Sequence, residues 1–216
     1  MNIKYVKWYK QDSLELLADR ILNTYHCEVP VDIDYIVEMM GLEICDIERL
    51  KEDFGLYGCL GQIKKKFVIF VQKGDLKLTN YYTNSTIAEE LSHYILHKEY
   101  FKNVKDLNEA FEFYAKICKT SEMKMELDAK YLASAILVPR EHVKKRALDA
   151  FKENETAIIE ILKKDKEDIC EAVINSLSAS LSDVYRAPDG TIAYRLKTKS
   201  VGFKEFVKKK QKSLCE

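Results

Sequence analysis

One segment of eleven residues, 87–97, carries the side chains best suited to catalysis. It reads Ile-Ala-Glu-Glu-Leu-Ser-His-Tyr-Ile-Leu-His. In the H-E-x-x-H arrangement, two metal ligands lie four residues apart on one helix face, and the glutamate after the first ligand is the general base for the attacking water. Here Glu89 stands at the first ligand position, Glu90 at the base position and His93 at the second ligand position. The pattern predicts metal-assisted hydrolysis, with a carboxylate replacing one imidazole.

Other interpretations of this segment remain open from the sequence. The apolar residues 87, 91, 94 and 95 form one stripe, so Glu89, His93 and His97 could be the solvated face of an ordinary amphipathic helix. Thr86 and Glu89 also match a capping box, in which Glu89 would bind only the start of its own helix. His93 and His97 could chelate an ion by themselves, but Tyr94 would then occupy the base position. Because Tyr94 lacks a carboxylate, we rank that arrangement below the one with Glu89 and His93.

A third ligand is predicted on a later helix. Glu126 shares a helix face with Ala129, Ala133 and Ile136. A carboxylate on a stripe that faces the core is costly unless it is paired or bound to a metal. The two alanines would let this helix approach the Glu90 helix closely, which would direct Glu126 toward the site. The alternative is that Glu126 lies at the edge of the stripe and reaches water.

Taken together, the two segments resemble the motifs of the ImmA/IrrE family of metallo-endopeptidases. Its members typically show A-H-E-L-G-H-Y-L-L-H and later E-x-x-A-N-x-F-A-x-x-L-L-M-P, and residues 88–97 and 126–139 occupy these motifs here. The resemblance implies a zincin-like fold in which His93 and Glu126 are metal ligands and Glu90 is the catalytic base. Glu89 then takes the place of the missing histidine. Further departures are Ser92, where glycine is usual, and Lys130, where asparagine is usual.

The substitution at Glu89 changes the expected metal chemistry. Zinc accepts carboxylate oxygen at about the same distance as imidazole nitrogen, so Glu89 could still be a ligand. One histidine with two glutamates leaves a divalent ion with roughly no net charge, whereas two histidines with one glutamate leave one positive unit. A less positive centre is a weaker Lewis acid, and oxygen-rich coordination favours harder ions. We expect Zn²⁺, with Mn²⁺ or no metal as alternatives.

The resemblance also implies a substrate class. Relatives of this kind cleave a helix-turn-helix repressor of a phage or other mobile element, so the expected function is a metal-dependent, regulatory endopeptidase. Glu89 favours the alternative of a catalytically impaired member that binds the same partner without cutting it. A third interpretation, nucleic-acid binding, rests on residues 195–212, which hold eight Lys or Arg and one acid, Glu205. Lysine-rich runs near a terminus are more often solvated than bound.

Composition narrows the class of protein further. The chain has 216 residues, of which 47% are hydrophobic, and 35 basic residues balance 35 acidic ones. This balance does not indicate a nucleic-acid or membrane partner for the whole chain. The six cysteines show no C-x-x-C pairing, and residues 1–8 lack the pattern of a secretory signal. We therefore expect a cytoplasmic protein with free thiols.

Apolar periodicity predicts a mainly helical α+β fold, zincin-like, with a small β-hairpin. Helices are expected near residues 13–25, 33–40, 79–97, 104–118, 120–138 and 139–151, and strands near 42–45, 56–63 and 67–71. Asp32 is a candidate cap, and a turn is expected at residues 188–190. We predict a metallopeptidase domain at 1–152, followed by a helical, helix-turn-helix-like segment with a basic tail at 153–216.

Overall fold

The computed structural model describes residues 6–72, 77–116, 119–163 and 168–215. The chain divides into two compact units, Met1–Leu137 and Val138–Glu216. The predicted boundary between residues 152 and 153 falls inside the second unit.

The first unit combines helices with a small sheet. Its elements in chain order are α1 (Gln11–Thr24), α2 (Ile33–Met39), β1 (Glu43–Ile47), α3 (Leu50–Phe54), β2 (Gly58–Ile63), β3 (Lys66–Gln72), α4 (Lys77–Phe101), α5 (Leu107–Lys116) and α6 (Lys119–Leu137). The second unit is helical: α7 (Arg140–Glu153), α8 (Glu155–Leu162), α9 (Ile169–Tyr185), α10 (Asp189–Lys197) and α11 (Phe203–Cys215). The predicted fold class, mainly helical α+β with a small sheet, is confirmed.

The sheet contains the predicted hairpin and one further strand. β2 pairs antiparallel with β3 through a turn in which Lys64 and Lys65 have positive φ values of 49° and 71°. β1 pairs with β3 in parallel, so the strand order is β1-β3-β2 and β2 is an edge strand. The parallel pairing was not predicted, because the pattern within β1 does not reveal its partner. The five-residue helix α3 was also missed, since it is too short to show a helical period.

Local signals explain several helix ends. Asp32 caps α2 by accepting a hydrogen bond from the Tyr35 N–H at 3.1 Å, as predicted. The turn predicted at residues 188–190 lies two residues earlier, at 186–188, because Asp189 begins α10 directly after Pro188. Proline suits the residue just before or at the start of a helix, since its missing N–H has no helical partner to lose. The end of the helix predicted at residues 104–118 lies outside the described residues.

Helix α4 is the central element of the first unit. It packs against β2 and β3 and also against α6. Because α4 runs unbroken from Lys77 to Phe101, Glu89 lies in its interior, and the capping-box interpretation is wrong. The solvated-face interpretation is also wrong, since His93 and His97 are only 1% and 2% exposed. Contacts on both sides of α4 therefore bury polar side chains that a surface helix would leave in water.

The second unit has its own buried core. Arg195 is fully buried and its Nε donates a hydrogen bond to the Val138 carbonyl at 3.0 Å. Tyr185 is also fully buried, and its hydroxyl lies 2.8 Å from His142 Nδ1. No helix in the part of the chain that the structure describes combines the length and the apolar character that a membrane span requires.

Candidate active site

Three ligand-type side chains converge between two helices of the first unit. Glu89 and His93 come from α4, Glu126 comes from α6, and one potential ligand atom from each lies within 4.8 Å of the other two. His93 Nε2 is 3.2 Å from Glu126 Oε1. These are the three residues that the sequence selected as metal ligands, and the fold brings them together.

Small residues on α6 permit this convergence. Ala129 and Ala133 are buried on the helix that packs against α4, at 0% and 4% exposure. A residue without a long side chain at a helix–helix contact lets the two backbones approach. Glu126 lies one turn before Ala129 on α6 and therefore reaches the polar residues of α4.

Glu90 occupies the space between this cluster and the sheet. Its side chain is buried, and the backbone N–H of Leu60 on β2 donates a hydrogen bond to its carboxylate. Glu90 Oε2 has no hydrogen-bond partner among the described residues. Burial, followed by the nearby charges of Glu89 and Glu126, raises the pKa of Glu90 well above its ordinary value. A carboxylate in this environment readily takes up a proton, as a general base must.

The two candidate carboxylate ligands form a coupled pair. Burial raises the pKa of Glu89, and the charge of Glu126 raises it further. Burial would also raise the pKa of Glu126, but the hydrogen bond from His93 and the charges of His93 and Lys130 outweigh it and lower that pKa. Two carboxylates this close favour sharing one proton or one cation.

The rival arrangement with His93 and His97 as joint ligands does not match the geometry. His97 Nδ1 lies 3.3 Å from His93 Nδ1, which is the ring nitrogen facing away from Glu126 Oε1. Burial, with a further contribution from His93, lowers the pKa of His97 to about 3. His97 is therefore a neutral imidazole behind His93, and the cluster of potential ligands found among the described residues contains Glu89 instead.

A cleft of about 390 Å³ gives access to the cluster. Its lining comes from the loop before β2, the first residue of β2, α4 and α6: Gly55, Leu56, Tyr57, Gly58, Thr86, Glu89, Glu90, Glu122, Glu126 and Lys130. Gly58 is required for this packing, because a Cβ there would lie 2.5 Å from Thr86 Cγ2 and 3.2 Å from Glu90 Cγ. The close approach of β2 to α4 thus depends on a glycine at one position.

Sequence reasoning missed the roles of Lys130, Gly58 and the Leu60 N–H. Lys130 Nζ lies 3.8 Å from Glu89 Oε1 and 3.7 Å from Glu126 Oε2. Its spacing of four residues from Glu126 was a usable signal, since such pairs face each other on a helix. Gly58 and Leu60 gave no local signal, because their roles depend on which helix packs against β2.

The donor set fits a divalent cation. It offers one imidazole and two carboxylates, which are ligands that zinc accepts at about 2.0–2.2 Å. One ligand atom of each side chain lies within 4.8 Å of the other two, so the three surround one common position. The coupled carboxylates and the unpartnered Glu90 Oε2 beside them are the surroundings expected of a metal site with an adjacent base.

The fold and this cluster define a protein of the metallopeptidase type. A model of the Peptidase_M78 family, described as the IrrE N-terminal-like domain, matches residues 77–197, which is more than half of the chain. The chain belongs to this family. The match includes α4 and α6 and thus Glu89, Glu90, His93, Glu126 and Lys130, whereas no curated protein matches the chain.

The basic tail, residues 195–212, has less positive charge available to a nucleic acid than its composition suggested. Arg195 is buried, and Lys197 and Lys204 each lie 3.4 Å from a carboxylate oxygen of Glu171. Lys210 lies 3.7 Å from Glu155. At least half of the eight basic residues in 195–212 are therefore buried or paired, which reduces the positive charge left for a nucleic acid.

Proposed function

We propose that this protein is a metal-dependent endopeptidase that carries a glutamate in place of the first histidine of H-E-x-x-H. The observation that carries the proposal is the convergence of Glu89, His93 and Glu126 within 4.8 Å, beside the buried carboxylate of Glu90. Zn²⁺ is the expected ion, and the two carboxylates make Mn²⁺ the main alternative. Membership of a metallopeptidase family supports the reaction class.

In this proposal Glu89, His93 and Glu126 hold the ion. A bound divalent cation supplies Lewis acidity, which polarises a peptide carbonyl and acidifies water. Glu90 takes the proton from the attacking water and returns it to the leaving amine. The Leu60 N–H holds one part of the Glu90 carboxylate, so the unpartnered Oε2 is the atom free for proton transfer.

The proposed substrate is a helix-turn-helix repressor of a phage or other mobile element. The basis for this substrate is the resemblance of residues 88–97 and 126–139 to ImmA/IrrE motifs, and the family match is consistent with it. Cleavage of such a repressor would release the genes it controls. We further propose that the protein acts in the cytoplasm, where its partner would bind DNA.

A second candidate function is a binding module that grips the repressor without cutting it. The observation that favours it is Glu89, because a site with two carboxylates leaves a divalent ion with little net charge. A weaker Lewis acid gives slower hydrolysis. The same cleft and the same partner would serve both functions, so the two differ only in whether a peptide bond is broken.

Incubation of the metal-loaded protein with a candidate repressor tests the proposal. Metal content is first measured by elemental analysis for the wild type, Glu90→Gln and Glu89→His. We expect about one equivalent of metal in each, cleavage by the wild type, and loss of cleavage in Glu90→Gln. We expect tighter metal binding and faster cleavage in Glu89→His.

Two results would decide against the peptidase. A stable complex with intact repressor, formed equally by the wild type and Glu90→Gln, would establish the binding module instead. A wild-type protein that takes up no divalent ion while Glu89→His does so would show that Glu89 has disabled the site.

A further inference from the structure

Lys130 places a positive charge directly at the carboxylates of the site. Its Nζ lies 3.8 Å from Glu89 Oε1 and 3.7 Å from Glu126 Oε2. The other oxygen of Glu126, Oε1, faces His93 Nε2 at 3.2 Å. Glu126 therefore lies between an imidazole and an ammonium group, and Lys130 contacts the carboxylates of both helices.

The positive charge of Lys130 offsets the negative charge that Glu89 adds. A site with two histidines and one glutamate leaves a divalent ion with one positive unit, and a site with one histidine and two glutamates leaves none. With the ammonium of Lys130 counted, the total returns to one positive unit. The lysine side chain is 56% exposed and lines the same cleft, so it can neutralise the carboxylates or turn toward solvent.

We propose that Lys130 is the electrostatic counterpart of Glu89 and sets the metal affinity of this site by competing with the cation for the two carboxylates. The inference rests on the proposed function, because it requires a divalent ion at Glu89, His93 and Glu126. It assigns Lys130 a regulatory role at the site. An entering ion must displace the ammonium from both carboxylates, and the ammonium then opposes the ion across a short distance.

A double-mutant cycle on metal affinity tests this role. The dissociation constant for Zn²⁺ is measured by competition with a chelator for the wild type, Lys130→Gln, Glu89→His and the double variant. We expect Lys130→Gln to tighten binding about tenfold in the wild-type background, as removal of a nearby like charge predicts. In the Glu89→His background, Glu126 is the only one of the two carboxylates left for Lys130 to contact. There we expect Lys130→Gln to tighten Zn²⁺ binding by about threefold or less.

Two matched variants separate charge from structure. Lys130→Arg keeps the positive charge at this position, so its dissociation constant should not fall below that of the wild type, as that of Lys130→Gln should. Lys119→Gln removes an exposed lysine from the start of the same helix, away from the cluster, and should change nothing. An effect of equal size in Lys130→Gln and Lys130→Arg would assign Lys130 a packing role and overturn the proposal.

The outcomes also distinguish this inference from the proposed function. If neither the wild type nor Glu89→His binds Zn²⁺, the metal site itself is refuted. If both bind Zn²⁺ and the dissociation constant of Lys130→Gln lies within about twofold of the wild-type value, the metal site stands and only the role of Lys130 is overturned. Equal tightening by Lys130→Gln in both backgrounds would likewise refute the pairing of Lys130 with Glu89.

Discussion

His93 presents its two ring nitrogens to different partners. Nε2 lies 3.2 Å from Glu126 Oε1, and Nδ1 lies 3.3 Å from His97 Nδ1. For Nε2 to offer a lone pair to a metal, the ring proton of His93 must be on Nδ1 and must be donated to His97 Nδ1. His97 then carries its own proton on Nε2, which has no partner among the described residues. A neutral His97 suits this role, since its pKa is lowered to about 3, first by burial and then by His93.

Removal of His97 should therefore weaken metal binding although His97 is not a ligand. We expect His97→Phe to lower the affinity for Zn²⁺ by about 10- to 100-fold, the usual effect of losing such a partner. His97→Gln, whose amide oxygen can accept the same hydrogen bond, should recover part of the loss. Ring-nitrogen NMR can follow the tautomer of His93 directly, because the chain has only four histidines. Unchanged affinity and an unchanged His93 tautomer in His97→Phe would contradict the assignment.

At the level of elements, the site depends on how closely β2 approaches α4. Gly58 has no side chain, and a Cβ there would meet Thr86 Cγ2 at 2.5 Å. Threonine is β-branched and has little freedom to turn its methyl group away. The same strand supplies the Leu60 N–H to Glu90, so any displacement of β2 would also move the carboxylate that is proposed as the general base.

A methyl group at Gly58 should consequently damage both stability and the site. We expect Gly58→Ala to lower the free energy of unfolding by about 1–3 kcal/mol, the typical cost of overpacking. Thr86→Ser removes the clashing methyl group, so the double variant Gly58→Ala/Thr86→Ser should regain most of that stability. Denaturant unfolding measures both. Equal stability of the single and double variants would show that the Thr86 contact is not the cause.

The elements themselves were largely predictable, and the contacts between them were not. Asp32 as the cap of α2 and the lysine-rich hairpin turn follow from local chemistry, and both are present. The parallel pairing of β1 with β3 depends on residues far apart in the chain. The same holds for Gly58. Only glycine fits there, because α4 packs so close that a Cβ would clash with Thr86.

For the whole molecule, the sequence identified the residues of the cluster but not their electrostatics. Helical spacing, together with the resemblance to the ImmA/IrrE motifs, selected Glu89, Glu90, His93 and Glu126, because helical geometry determines which residues share a face. The pKa shifts could not be predicted in the same way, since they arise from burial by the sheet and by the neighbouring helix. Composition also overstated the basic tail, because folding buries Arg195 within the second unit.

Burial of these carboxylates makes the stability of the whole molecule depend on pH. Burial and the nearby carboxylates raise the pKa of Glu90 in the folded state, so folding favours its protonated form. Its contribution to stability is fully present below its ordinary pKa and is lost as pH rises through the raised value. Glu126 acts in the opposite direction: the contact with His93 overcomes burial and lowers its pKa, so its contribution is lost only in acid.

The metal-free wild type should therefore become less stable as the pH rises from mildly acidic to alkaline. The Glu90→Gln variant should lose less stability than the wild type over the same range. Glutamine resembles the protonated carboxyl group and has no charge to bury. We expect the variant to exceed the wild type by about 1–3 kcal/mol at alkaline pH, the cost of a buried group without full compensation. Thermal unfolding in the presence of a chelator, at a series of pH values, measures the difference. Glu122→Gln, in the same cleft but only partly buried, is the control. Parallel pH profiles for the wild type and Glu90→Gln would show that Glu90 is ionised at no cost, and its proposed readiness to accept a proton would then be wrong.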